Sequence, residues 1–123
     1  MSVRFDVPAQ VLDRLFEVIE RRRDERPAGS YVVSLLDGGL PVMGAKVREE
    51  SDEVVRAASH ESDEALAREV ADLVFHVFVL MAARAVAPEA VYAELGRRFG
   101  IGGLEEKAAR SPGVRESRGG EGE

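Results

Sequence analysis

The run "LVFHVFVLMAARAVA" limits what this chain can fold into more than any other stretch. His76 and Arg84 interrupt it, and it is too short and too polar to cross a bilayer, so protein has to bury it. Leu66, Val70, Leu73, Val77 and Leu80 recur at helical spacing and form one apolar stripe, the side a helix turns to a core. The opposite side should be polar, yet it carries Phe75, Val79 and Ala83. A helix apolar nearly all round needs cover on most sides. In a chain of 123 residues the pattern predicts that a second copy supplies part of it, making a homodimer.

The remaining segments are helical too. From Pro8 to about Glu25, Leu12, Leu15, Phe16 and Ile19 recur at helical spacing, and "RPAG" ends that helix. Ser30 is placed to cap a short segment, "YVVSLLD", ending at Gly38 and Gly39. A long helix is predicted from about Pro41 to Ser59. A third, capped by Ser62 or Asp63, runs to about Val86, and a fourth from Pro88 to Gly100. Only "SYVVSLL" is ambiguous with a strand. The fold class is all-α, an antiparallel bundle of about four main helices plus a short one, as one domain over residues 1–110. Residues 111–123, "SPGVRESRGGEGE", have almost nothing to bury and are predicted to be a disordered tail.

Composition narrows the function classes. No Cys is present, which removes disulfides and thiolate metal sites and leaves His and carboxylates as the strong metal ligands. The net charge of −6 repels a nucleic-acid backbone. The one basic cluster, "ERRRDER", is broken by acids. The N-terminus lacks the charged and apolar regions of a secretory signal, so the expectation is a cytoplasmic protein with no membrane and no nucleic-acid partner. "DGGLPVMG" is Gly-rich but lacks the phosphate-loop pattern, and no G-x-S-x-G elbow occurs.

Carboxylate spacing points to a site. At about 100° per residue, Lys46, Glu49, Glu50, Glu53 and Ala57 share one side of the second long helix. Taken alone this is also what a solvated acidic face looks like. The third helix changes the weighing, because Glu69, Asp72 and His76 form a polar strip inside its apolar surface. Buried carboxylates need a paired charge or a metal, and Lys46 and Arg68 are outnumbered by five acids. Oxygen donors of this kind suit Mg²⁺ or Mn²⁺ held between carboxylates and substrate phosphates. His76 could ligate metal, orient Asp72 by a hydrogen bond, or be a satisfied core histidine. His60, in the polar "SHESD" turn, is read as solvated.

"GSYVVSLLDGG", "GAKVREESDEVVRAA" and "REVADLVFHVFVLMAARAV", in that order, resemble phosphoribosyl-ATP pyrophosphohydrolase, the HisE family of histidine biosynthesis. "GIGGLEEKAAR" resembles the C-terminal segment of many members. The wider superfamily is the MazG-like all-α nucleoside triphosphate pyrophosphohydrolases, which share E-x-x-E and E-x-x-D without the lead-in. Arg48 departs from the small residue common before the E-E pair, and it sits off the carboxylate side.

The resemblance implies a dimeric helical bundle in which Glu50, Glu53, Glu69 and Asp72 hold Mg²⁺, with Glu49 as a ligand or a base. Lys46 would face the phosphates. The implied reaction is hydrolysis of phosphoribosyl-ATP to phosphoribosyl-AMP and pyrophosphate, by water attack between the α- and β-phosphates. Glu49 or Glu53 would take the proton. Lys107 and Arg110, beyond the flexible "GIGG", would either fold back onto phosphate oxygens or belong to a fraying end with unrelated charges. Two other readings stand beside this one. A house-cleaning pyrophosphohydrolase would use the same metal site on another triphosphate. A non-catalytic dimerisation module would leave the strip on the third helix unexplained.

Overall fold

Four helices follow one another in the computed structural model, which describes residues 10–100: α1 Val11–Glu25, α2 Tyr31–His60, α3 Asp63–Ala83 and α4 Pro88–Phe99. The described residues contain no strand, and the ambiguous "SYVVSLL" opens α2, so the fold is all-α as the periodicity predicts. Helices α1 to α3 belong to one compact unit and α4 to a second. No single helix among the described residues is long and apolar enough to cross a membrane.

Helix α2 has two legs. Ser30 caps the first, its hydroxyl accepting from the Val33 N–H at 3.3 Å. The leg ends where the pattern predicts, because Gly39 takes φ 73° and ψ −172°, a conformation open almost only to glycine. Gly38 is required for a different reason. A Cβ there would come within 2.5 Å of a Val42 methyl carbon. Pro41 then opens the second leg, where its missing N–H leaves no helix bond unmade. This break puts Tyr31 on one leg and Lys46, Glu49, Glu50 and Glu53 on the other.

The core forms where α1, both legs of α2 and α3 meet. Phe16 and Ile19 come from α1, Val32, Leu35 and Met43 from α2, and Phe78, Val79 and Ala82 from α3. Ile19 and Val79 are fully buried, each stabilising the fold by about 1.5–3 kcal/mol. The Phe16 and Phe78 rings meet edge to face, with centroids 5.6 Å apart.

This corrects one expectation. Most of the stripe assigned to the core lies on the flank: Leu66, Leu73 and Val77 are half-buried and Val70 is 40% exposed, and only Leu80 of the five packs against the core cluster. The core side is the one with His76, Phe78, Val79 and Ala82. When a helix is apolar on every side, periodicity identifies a helix but does not select which side its neighbours take.

Side-chain and backbone bonds finish the helix ends. Arg23 of α1 donates from Nη1 to the Ala82 carbonyl at 2.8 Å, adding a side-chain donor at the end of α3. Ser62, rather than Asp63, caps α3 by accepting from the Ala65 N–H at 3.1 Å. The helix stops at Ala83, short of Val86, because Ala85 turns left-handed at φ 58°. The Val86 N–H then reaches Met81 and the Ala85 N–H reaches Ala82, closing a Schellman motif with alanine where glycine is usual. In α4, Pro88 occupies the first turn, and Glu94 pairs with Arg97 and with Arg98, the latter at 2.9 Å.

Candidate active site

Three of the acids singled out by spacing come together. Carboxylate oxygens of Glu50 on α2 and of Glu69 and Asp72 on α3 all lie within 4.8 Å of one another. Helical geometry explains it: Glu69 and Asp72 are neighbours one turn apart, and the second leg of α2 packs along α3 to bring Glu50 opposite. Glu50 and Glu69 are half-buried and Asp72 is exposed.

The charge of the trio is only partly relieved, because Lys46 reaches Glu50 and not the other two. Among the described residues neither Glu69 nor Asp72 forms an ion pair, and Arg68 does not serve as their partner. Desolvation is the main influence raising the Glu69 pKa above the ordinary carboxylate value. The negative charges of Glu53, Asp72, Glu50 and Glu61 push it further up. These three convergent oxygen donors, with Lys46 reaching Glu50 alone, could hold a hard divalent cation.

The other sequence-assigned residues surround this trio unequally. Lys46 donates to Glu49 at 2.9 Å and stands 3.7 Å from Glu50. The Glu49 bond is the chief cause of its raised pKa, and Tyr31 and Glu50 contribute. Glu49 is exposed and turned to that lysine. Glu53 lies outside the trio and pairs with Arg56 at 3.3 Å, though its charge is the largest Coulombic influence on Glu69. Lys107 and Arg110 lie outside the described residues, as does the tail.

His76 is the satisfied core histidine of the three roles considered. It is 7% exposed, and both ring nitrogens are engaged within the protein. Nδ1 stands 2.8 Å from the Asp72 backbone carbonyl, which can only accept, so Nδ1 carries a proton. In the neutral ring Nε2 is then the acceptor for the Tyr31 hydroxyl, 2.9 Å away. The imidazole thus bonds to the backbone of Asp72 and not to its carboxylate. Tyr31 is the residue that spacing missed. It appears in the sequence only as part of the "SYVVSLL" lead-in, and its partner is 45 positions away.

Comparison with known proteins identifies the family. The family model described as phosphoribosyl-ATP pyrophosphohydrolase matches residues 12–99. A "Phosphoribosyl-ATP pyrophosphatase" of Methylococcus capsulatus is 47% identical over 103 residues, covering 84% of this chain and 98% of that protein. One from Erythrobacter litoralis is 52% identical over 99 residues, covering 80% and 95%. One from Sulfurisphaera tokodaii is 48% identical over 91 residues, covering 74% and 97%. With a match spanning well over half its length and the acidic trio inside the matched region, the chain belongs to the phosphoribosyl-ATP pyrophosphohydrolase family.

Proposed function

We propose that this protein hydrolyses phosphoribosyl-ATP to phosphoribosyl-AMP and pyrophosphate, as a cytoplasmic enzyme of histidine biosynthesis, with Mg²⁺ or Mn²⁺ held by Glu50, Glu69 and Asp72. The observation that supports the site is the convergence of those carboxylates, with Glu50 near Lys46 and Glu69 and Asp72 in no ion pair among the described residues. Bound there, the cation supplies positive charge to the phosphoryl oxygens and lowers the pKa of a nearby water.

The chain's own residues divide the remaining work. Lys46, paired with Glu49 and Glu50 at the edge of the trio, exchanges those partners for a phosphate oxygen. Glu49 or Glu53 takes the proton; the first is paired with Lys46 and the second with Arg56. Glu53, paired with Arg56 at 3.3 Å, would be a further ligand beside the trio. Lys107 and Arg110 cover phosphate oxygens that the cation leaves bare, so Lys107→Ala raises KM. The exposed flank of α3, with Val70, and the exposed Val55 of α2 supply the apolar surface for a homodimer.

Measuring pyrophosphate release from phosphoribosyl-ATP beside a panel of nucleoside triphosphates tests this function. Preference for phosphoribosyl-ATP, abolished by EDTA and restored by Mg²⁺, is the expected result. Equal or faster turnover of another triphosphate favours the house-cleaning reading, and full activity in chelator removes the cation from the account.

A further inference from the structure

Beside the acidic trio stands a group of three rings. Tyr31 stacks on Phe75, with centroids 6.0 Å apart and planes 14° from parallel. His76 meets both edge-on, at 5.7 Å from Tyr31 and 5.0 Å from Phe75. Tyr31 is nevertheless 48% exposed. Its hydroxyl is held by a buried imidazole and one ring face lies on Phe75, so the ring is fixed in place while much of it faces solvent. An aromatic side chain immobilised in this way takes a planar ligand at little further entropic cost.

Two routes tie this ring to the trio. Along α3, His76 is one turn beyond Asp72, about 6 Å on the helix axis, and its Nδ1–H bonds back to the Asp72 carbonyl. Along α2, Tyr31 lies near enough to Lys46 to influence its ammonium, and Lys46 contacts Glu50. In a nucleotide one pentose separates the α-phosphate from the base, a span comparable with that helical turn.

We propose that Tyr31 is a substrate-binding residue whose exposed ring stacks on the purine of the nucleotide while the trio holds the phosphates. His76 is its positioning residue. This rests on the placement of the cation and phosphates at Glu50, Glu69 and Asp72. The imidazole's fixed tautomer directs the Tyr31 O–H inward, which sets the ring's tilt without occupying its outer face. Base stacking of this kind tolerates the substituents on the purine, because every base presents a π-face.

Three measurements test the assignment. Tyr31→Leu raises KM for phosphoribosyl-ATP by roughly five- to a hundred-fold, the range of a lost base stack. Tyr31→Phe, which keeps the ring, changes it only a few-fold. Inhibition by Mg²⁺ tripolyphosphate, which has no base, is the same in wild type and Tyr31→Leu. The chain has two tyrosines. In a Tyr92→Phe background with labelled tyrosine, the Tyr31 ring signals move upfield on adding phosphoribosyl-AMP. Stationary ring signals, an unchanged KM in Tyr31→Leu, or equal weakening of substrate and tripolyphosphate overturns the base subsite and leaves the cation site standing. Failure of tripolyphosphate to compete with substrate in the wild type removes the phosphate anchor and the base subsite together.

Discussion

Glu69 and Asp72 lie one turn apart on α3 with carboxylate oxygens within 4.8 Å, and no cation among the described residues pairs with either. At neutral pH such a pair works against the fold unless a divalent ion is bound.

A first prediction follows from the raised pKa of Glu69. A carboxyl whose folded pKa lies above its unfolded value contributes stability that is fully present below the unfolded pKa. That contribution is lost as pH rises through the folded pKa. Glu69→Gln mimics the protonated form, so without metal it has a higher Tm than wild type at pH 7. The difference closes as pH falls below the ordinary carboxylate range. With Mg²⁺ and substrate product present the order reverses. Thermal melts across pH, with and without metal, measure this.

The kink of α2 sets the second prediction. Gly39→Ala forces a Cβ onto a backbone at φ 73° and ψ −172°, at a cost of about 1–3 kcal/mol. Because that kink also positions Tyr31 relative to Lys46, KM rises as well as stability falling. Denaturant unfolding and steady-state kinetics on the same preparation separate the two effects.

Much of this arrangement was legible in the sequence, and the limits were physical. The spacing of Glu49, Glu50 and Glu53, and of Glu69 and Asp72, is local and follows from helix period alone. The caps at Ser30 and Ser62 were legible for the same reason. Which side of α3 faces α1 was not, because apolar residues surround it and only packing against Phe16, Ile19 and Leu35 selects Val79 and Ala82. Nor was the Tyr31–His76 bond, which depends on the angle between the legs of α2. The early end of α3 turns on a left-handed alanine, a conformation that residue type does not announce.

That alanine gives a third prediction. Ala85→Gly relieves a left-handed strain of about 1 kcal/mol and stabilises the protein without touching the site. Urea unfolding should show a higher midpoint with unchanged slope, and turnover of phosphoribosyl-ATP should match wild type. A lower midpoint would mean that the turn after α3 is held differently.

The fourth prediction concerns assembly. Val70 on the flank of α3 and Val55 on α2 are 40% and 65% exposed, and a second copy would cover them. Sedimentation equilibrium at micromolar concentration is expected to return a dimer, and Val70→Lys to shift it toward monomer. A folded monomer in the wild type would contradict the homodimer.

Direct titration with Mn²⁺, followed by loss of the free-ion paramagnetic signal, tests the central claim that Glu50, Glu69 and Asp72 hold the divalent cation. Wild type is expected to take up Mn²⁺, and Glu50→Gln and Asp72→Asn to bind it at least about ten-fold more weakly while keeping the wild-type helical spectrum. Glu94→Gln, on α4 and paired with Arg97 and Arg98, should bind as wild type does. Folded Glu50→Gln and Asp72→Asn proteins that bind Mn²⁺ as tightly as wild type would contradict the account.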